Sequence, residues 1–187
     1  MLKLALTVLA LLQLSAAQDC RTTYAGILSA KVGNTLKSFT LNSANQVAYL
    51  GNGNSPLVVQ YQACASLQNG EPPSTYHNGR VYVPAKGKCL TVSNPNAAAP
   101  PYYTTLVTCG TTNASPGGFT MSEGNIYWVG RASSDGTILQ GGCNLLGWAP
   151  TASHTPDHAH SGNQIALNCN KTTVITDYPF HLSLQAL

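Results

Sequence analysis

Three times along this chain a cysteine is followed, ten to twelve residues later, by an aromatic residue: Cys64 by Tyr76, Cys109 by Phe119, and Cys169 by Phe180. After the first two aromatics the chain runs Asn78-Gly79-Arg80-Val81-Tyr82 and Glu123-Gly124-Asn125-Ile126-Tyr127. A unit that recurs about every 45 to 60 residues is one supersecondary element copied and packed against itself. The spacing therefore predicts a threefold all-β domain, with Tyr76, Phe119 and Phe180 at equivalent core positions. The repeats run from about 23 to 76, 78 to 119 and 123 to 180.

Within each repeat the pattern is that of strands. Short alternating or β-branched runs, separated by Gly, Asn and Pro clusters, replace helical periodicity. Strands are expected at 25–30, 37–41, 46–50, 57–62, 80–84, 89–93, 104–109, 125–129, 137–140, 164–169, 173–176 and 180–184. Asn78-Gly79 and Asp135-Gly136 are tight-turn dipeptides, because Asn, Asp and Gly tolerate positive φ. In repeats two and three a second cysteine, Cys89 or Cys143, precedes the main one. Six cysteines allow fifteen pairings, and repeat equivalence is the guide among them. It pairs Cys89 with Cys109 and Cys143 with Cys169, which leaves Cys20 for Cys64.

The ends and composition bound the setting. Residues 1–17 combine Lys3, an apolar run from Leu4 to Leu14 and the small residues Ser15-Ala16-Ala17. This is the pattern of a secretory signal peptide, too short for a comfortable membrane span. Residues 18–187 then form a single domain. Six cysteines there fit an oxidising compartment, so the protein is expected outside the cell. Lys3 is the only charged residue of the leader, and the remainder carries eight basic and six acidic residues. So small a net charge offers no case for a nucleic acid or membrane partner. Asn113-Ala114-Ser115 and Asn170-Lys171-Thr172 are glycosylation sequons.

Gly87-Lys88-Cys89-Leu90-Thr91-Val92, then Leu106-Val107-Thr108-Cys109, Gly117-Gly118-Phe119 and Gly124-Asn125-Ile126 follow one another in repeat two. Repeat three echoes this order with Gly142-Cys143-Asn144-Leu145, Ile165-Ala166-Leu167-Asn168-Cys169 and Tyr178-Pro179-Phe180. This order resembles the ricin-B-type β-trefoil lectins, a family of carbohydrate-binding modules, and the composition looks like a secreted fungal member. The resemblance implies a β-trefoil: three four-stranded repeats closing a barrel capped by hairpins. It also implies non-catalytic binding of a glycan or cell-wall polysaccharide. The chain departs from the family at the sugar-gripping aspartate, replaced by Thr91 and Leu145, and at the signature tryptophans, replaced by Tyr76, Phe119 and Phe180. Thr91 can still donate and accept a hydrogen bond; Leu145 cannot.

Sugar recognition requires a flat apolar face for the ring and polar groups for its hydroxyls. The resemblance places Tyr102 and Tyr103 at the stacking position of repeat two, beside Asn94 and Asn96, although strand packing accounts for the tyrosines equally well. In repeat three Trp148, Asn144 and Asn163 offer the same mixture. The segment His154-Thr155-Pro156-Asp157-His158-Ala159-His160 gathers three of the five histidines. His154, His158 and His160 are weak candidates for Zn²⁺ or Cu²⁺, and their spacing matches no zinc-finger or metalloprotease pattern, so a polar insertion is the reading. No nucleophile elbow, phosphate loop or evident carboxylate pair is present, so neither catalysis nor a cofactor is expected. A second reading is a trefoil acting through protein contacts, as a protease inhibitor or secreted effector.

Overall fold

The computed structural model describes residues 19–49, 55–67, 77–110, 118–131, 133, 135, 137–140, 143, 145–168 and 178–183. The leader, Tyr76, Asn144, Cys169, both sequon asparagines and the strand expected at 173–176 lie outside them.

The described chain is all-β. Its strands are β1 (Cys20–Val32), β2 (Thr35–Ser38), β3 (Thr40–Leu41), β4 (Val47–Ala48), β5 (Val58–Cys64), β6 (His77–Val83) and β7 (Lys88–Val92). There follow β8 (Tyr102–Val107), β9 (Phe119–Ser122), β10 (Asn125–Trp128), β11 (Gly147–Trp148), β12 (Ala166–Asn168) and β13 (Phe180–Ser183). Six of them close an antiparallel barrel. β1 pairs with β5, β5 with β6, β6 with β9, β9 with β10 and β10 with β13, and β13 returns to β1. Closure satisfies the backbone on both sides of every barrel strand over the paired stretch and removes the exposed edge an open sheet would carry.

Side-chain alternation explains why these six segments close on one another. Each sends two residues, two apart, into a common core, as the period of a strand requires. The pairs are Leu28 and Ala30, Val59 and Tyr61, Val81 and Val83, Phe119 and Met121, Ile126 and Trp128, and Phe180 with the partly buried Leu182. Phe119 and Phe180 are fully buried. The phenol of Tyr61 donates to the Phe119 carbonyl at 3.0 Å and is also bonded to the His77 carbonyl, so it ties β5 to β9 and β6 inside the core. Burial raises its pKa far above that of an exposed tyrosine.

One end of the barrel is covered by three hairpins that bond to each other. They are β3–β4, β7–β8 and β11–β12. β12 pairs with β8, placing Ala166 opposite Tyr103 and Leu167 opposite Tyr102. Ala48 bridges to Gln164, and the Val47 amide donates to the buried Thr104 hydroxyl at 3.1 Å. Disulfides join Cys20 to Cys64 and Cys89 to Cys109. Cys143 is also disulfide-bonded. Among the described residues no helix is long and apolar enough to cross a membrane.

Some local expectations change. The segments Phe119–Ser122 and Gly147–Trp148 are strands that alternation did not single out, the second having only two residues. The run 137–140 forms no named strand. It is tied back by Leu139 N–H to the Arg131 carbonyl and Ser133 N–H to the Thr137 carbonyl. Asn78-Gly79 is not a turn but lies within β6. A Cβ at Gly79 would stand 2.1 Å from the Gln62 carbonyl oxygen, so glycine is required there by the close approach of β5. The tight reversal falls instead at Glu123-Gly124, with φ of 50° and 79°, between β9 and β10.

Two outcomes are expected. Gly79→Ala should destabilise the barrel by about 3 kcal/mol, the upper range for overpacking, as read by chemical denaturation. His181, on β13, is held below the ordinary histidine value of 6.5, first by burial and then by Lys31. A depressed pKa means that the unfolded chain binds the proton more readily, so this contribution is complete above pH 6.5 and lost as pH falls through the folded value. Melting curves from pH 7.5 to 4.5 should show His181→Gln losing less stability on acidification than the parent.

Candidate functional site

The polar insertion between β11 and β12 is ordered by its own hydrogen bonds. Thr151 N–H donates to the Thr155 carbonyl at 2.7 Å, and the Thr151, Ser153 and Thr155 hydroxyls bond to one another. Asp157 N–H returns to the Ala149 carbonyl at 2.7 Å, and Asp157 Oδ1 accepts from Ala159 N–H at 3.2 Å. The Asn163 carbonyl then accepts from Tyr49 N–H at 3.0 Å, anchoring the insertion on the first hairpin. These contacts hold a histidine-rich segment against the end of the barrel that the hairpins cover.

The three histidines do not converge. Each meets a different tyrosine, carried by a different part of the chain. The His154 ring stacks on Tyr178 and its Nδ1 is hydrogen-bonded to the Tyr178 hydroxyl. His158 stands edge to face with Tyr49, at 5.2 Å between centroids. His160 does the same with Tyr103 at 5.3 Å, its Nδ1 lying 3.3 Å from the phenolic oxygen. Among the described residues no group of three or more His, Cys, Asp or Glu side chains is placed to hold a metal ion. The tyrosines use these imidazoles as packing and hydrogen-bond partners.

At His160 a carboxylate joins the pair. Asp157 Oδ2 lies 3.3 Å from His160 Nε2, a buried atom, off the line of a hydrogen bond. Tyr103 is fixed from behind, its N–H donating to Asn94 Oδ1 at 3.1 Å while its carbonyl accepts from Ser93 N–H at 2.8 Å. Asn163, exposed and in the left-handed region with φ 53°, bonds through its N–H to the His160 carbonyl at 2.9 Å. The partly exposed Tyr103 phenol, the His160 imidazole and the Asp157 carboxylate therefore lie together, with the Asn163 backbone bonded to the His160 carbonyl.

The remaining residues indicated by sequence fall elsewhere. Tyr102 is 1% exposed, packs on Trp128 at 5.3 Å and donates to the Ala97 carbonyl at 3.0 Å. Trp148 is also 1% exposed, its Nε1–H donating to the Pro179 carbonyl at 2.8 Å. Thr91 is 2% exposed and its hydroxyl has no hydrogen-bond partner, while Leu145 is buried. Asn94 spends its amide on the loop, Nδ2 donating to the Pro101 carbonyl at 3.0 Å. Asn96 is exposed. Of the expected set, the structure brings Tyr103 and Asn163 together through His160. Sequence reasoning did not connect Asp157 and His160 with Tyr103, because the link is the β8–β12 pairing across more than fifty residues.

Comparison with family models, with curated proteins and with solved structures finds no match.

Burial of Thr91 has a measurable consequence. An unsatisfied buried hydroxyl costs about 1–3 kcal/mol, so Thr91→Val should raise stability by about 1 kcal/mol in urea unfolding and leave any surface binding unchanged.

Proposed function

We propose that this protein is a secreted, disulfide-stapled β-trefoil, resembling the ricin-B-type lectins, that binds a glycan without catalysis. Tyr103, His160, Asp157 and Asn163 form its contact surface. The observation that carries the reading is the assembly of Asp157 and His160 on Tyr103. The family places an aspartate two positions after the repeat cysteine, and here that place is occupied by the buried Thr91. Asp157 instead brings a carboxylate from the insertion to His160, whose ring stands against Tyr103. A carboxylate accepting sugar hydroxyls makes charge-assisted hydrogen bonds, roughly twice as strong as neutral ones, while the tyrosine face receives the sugar's C–H side. The trefoil assignment is supported by the closed six-strand barrel and by hairpins from all three repeats on one of its ends. Secretion is supported by the disulfides, which persist in oxidising compartments.

Burial of Tyr102, Trp148 and Thr91 favours a second reading, in which the trefoil works through protein contacts as a protease inhibitor or effector. A panel of glycans and wall polysaccharides separates the two. Saturable binding that weakens about tenfold or more in both Tyr103→Ala and Asp157→Asn supports the glycan reading, tenfold being about 1.4 kcal/mol. Silence of the parent protein across the panel transfers the assignment to protein contacts.

A further inference from the structure

The barrel end opposite the hairpins carries a second group of side chains. β1 starts there as a ribbon with the last residues of β5, Cys20 facing Cys64, Arg21 facing Ala63 and Thr22 facing Gln62, with a register shift between Thr22 and Tyr24. The Cys20–Cys64 disulfide pins the tip of this ribbon. The irregularity falls inside a depression of about 400 Å³ lined by Arg21, Thr22, Thr23, Tyr24, Ala63 and His77. Tyr24, 41% exposed, is the most exposed aromatic ring among the described residues. Among those residues the Arg21 guanidinium, the Tyr24 phenol and the His77 imidazole have no hydrogen-bond or ion-pair partner, so three polar groups face one hollow unused.

The surroundings set the sign of the charge. Arg80 is only 4% exposed and lies across from Gln62 on β6, next to the ribbon. Its guanidinium donates to Gln62 Oε1 at 2.7 Å and to the Gly110 carbonyl at 3.1 Å, and no carboxylate among the described residues is within ion-pair distance. Asp19 is the nearby acid, and its carboxylate accepts the Ser66 N–H. Arg80 and Asp19 thus lie outside the lining, and among the described residues Arg21 is the side chain of permanent charge that lines the depression, with no carboxylate beside it. Guanidinium matches a carboxylate in a bidentate fork, and a tyrosine face takes the C–H side of a sugar ring.

We propose that this depression is a second binding site, specific for an anionic sugar residue with a carboxylate, that is, a uronic acid unit of a polysaccharide. Arg21 holds the carboxylate, Tyr24 stacks on the ring, and His77 meets the hydroxyls. The proposal rests on the glycan reading above but uses different residues, so the two fail separately. The test is calorimetric titration of the full-length protein with oligogalacturonate, its fully methyl-esterified form, a sulfated oligosaccharide and a neutral oligosaccharide.

Binding of oligogalacturonate should weaken at least tenfold on esterification and in Arg21→Gln and Tyr24→Ala, recover in part in Arg21→Lys, and remain in Tyr103→Ala. Because Arg21 and Tyr24 are exposed, these variants should keep the parent melting temperature. Preference for the sulfated ligand over the uronate would overturn the carboxylate assignment. Binding lost in Tyr103→Ala and kept in Arg21→Gln would overturn the site while leaving the glycan reading in place. Binding of the neutral oligosaccharide alone would do the same, and failure of every sugar here and on the panel would remove both.

Discussion

Closure of the six-strand barrel is the constraint on which the rest of the structure depends. β13 completes the circuit by pairing with β1 on one side and β10 on the other. It is the last described strand, and β1 is the first, so closure joins the two ends of the fold. Without β13, β1 and β10 would both present open edges, and Phe180 would leave its edge-to-face contact with Phe39 at 5.5 Å. The paired side chains from all six strands fill one core, so each strand's burial is contingent on the others being in place.

The hairpin end converts that closure into a surface. The hairpins hold one another through the β8–β12 ladder, the Ala48–Gln164 bridge and the Val47–Thr104 bond. Tyr102 and Tyr103 are adjacent on β8 and point opposite ways. The first fills the core beside Trp128, and the second meets the insertion at His160. A strand gives neighbouring residues opposite fates, so two tyrosines that look interchangeable in sequence have different roles. Thr91 and Leu145, at the positions where the resembled family places its aspartate, are buried together with their neighbours Leu90, Val92 and Leu146.

Much of the fold was legible because strand alternation and repeat spacing are local signals. The runs containing Leu28, Val59, Val81 and Ile126 announce their strands, repeat equivalence indicates the Cys89–Cys109 disulfide, and elimination indicates Cys20–Cys64. The strand at Gly147–Trp148 was not legible, since two residues cannot display a period, and Phe119–Ser122 was legible only through Phe119 as a core position. The role of Gly79 was hidden because its dipeptide is also a turn signal, and only the position of Gln62 on the neighbouring strand distinguishes the two. The site was legible in composition alone. Aromatic and amide residues were visible in the loops, but Trp148 looked available for a ligand until its indole proved to be bonded to Pro179 inside the core.

By itself the sequence determined an all-β chain, the Cys89–Cys109 and Cys20–Cys64 disulfides and the core positions of Phe119 and Phe180, because each follows from periodicity, equivalence or elimination along the chain. Tertiary structure alone decided which polar groups meet. Tyr103, Asp157 and His160 come together only through the pairing of β8 with β12, and Arg21, Tyr24 and His77 only through β1 and β6 flanking β5. Those contacts join segments separated by tens of residues, and which segments become neighbours is set by how the barrel closes rather than by any local pattern.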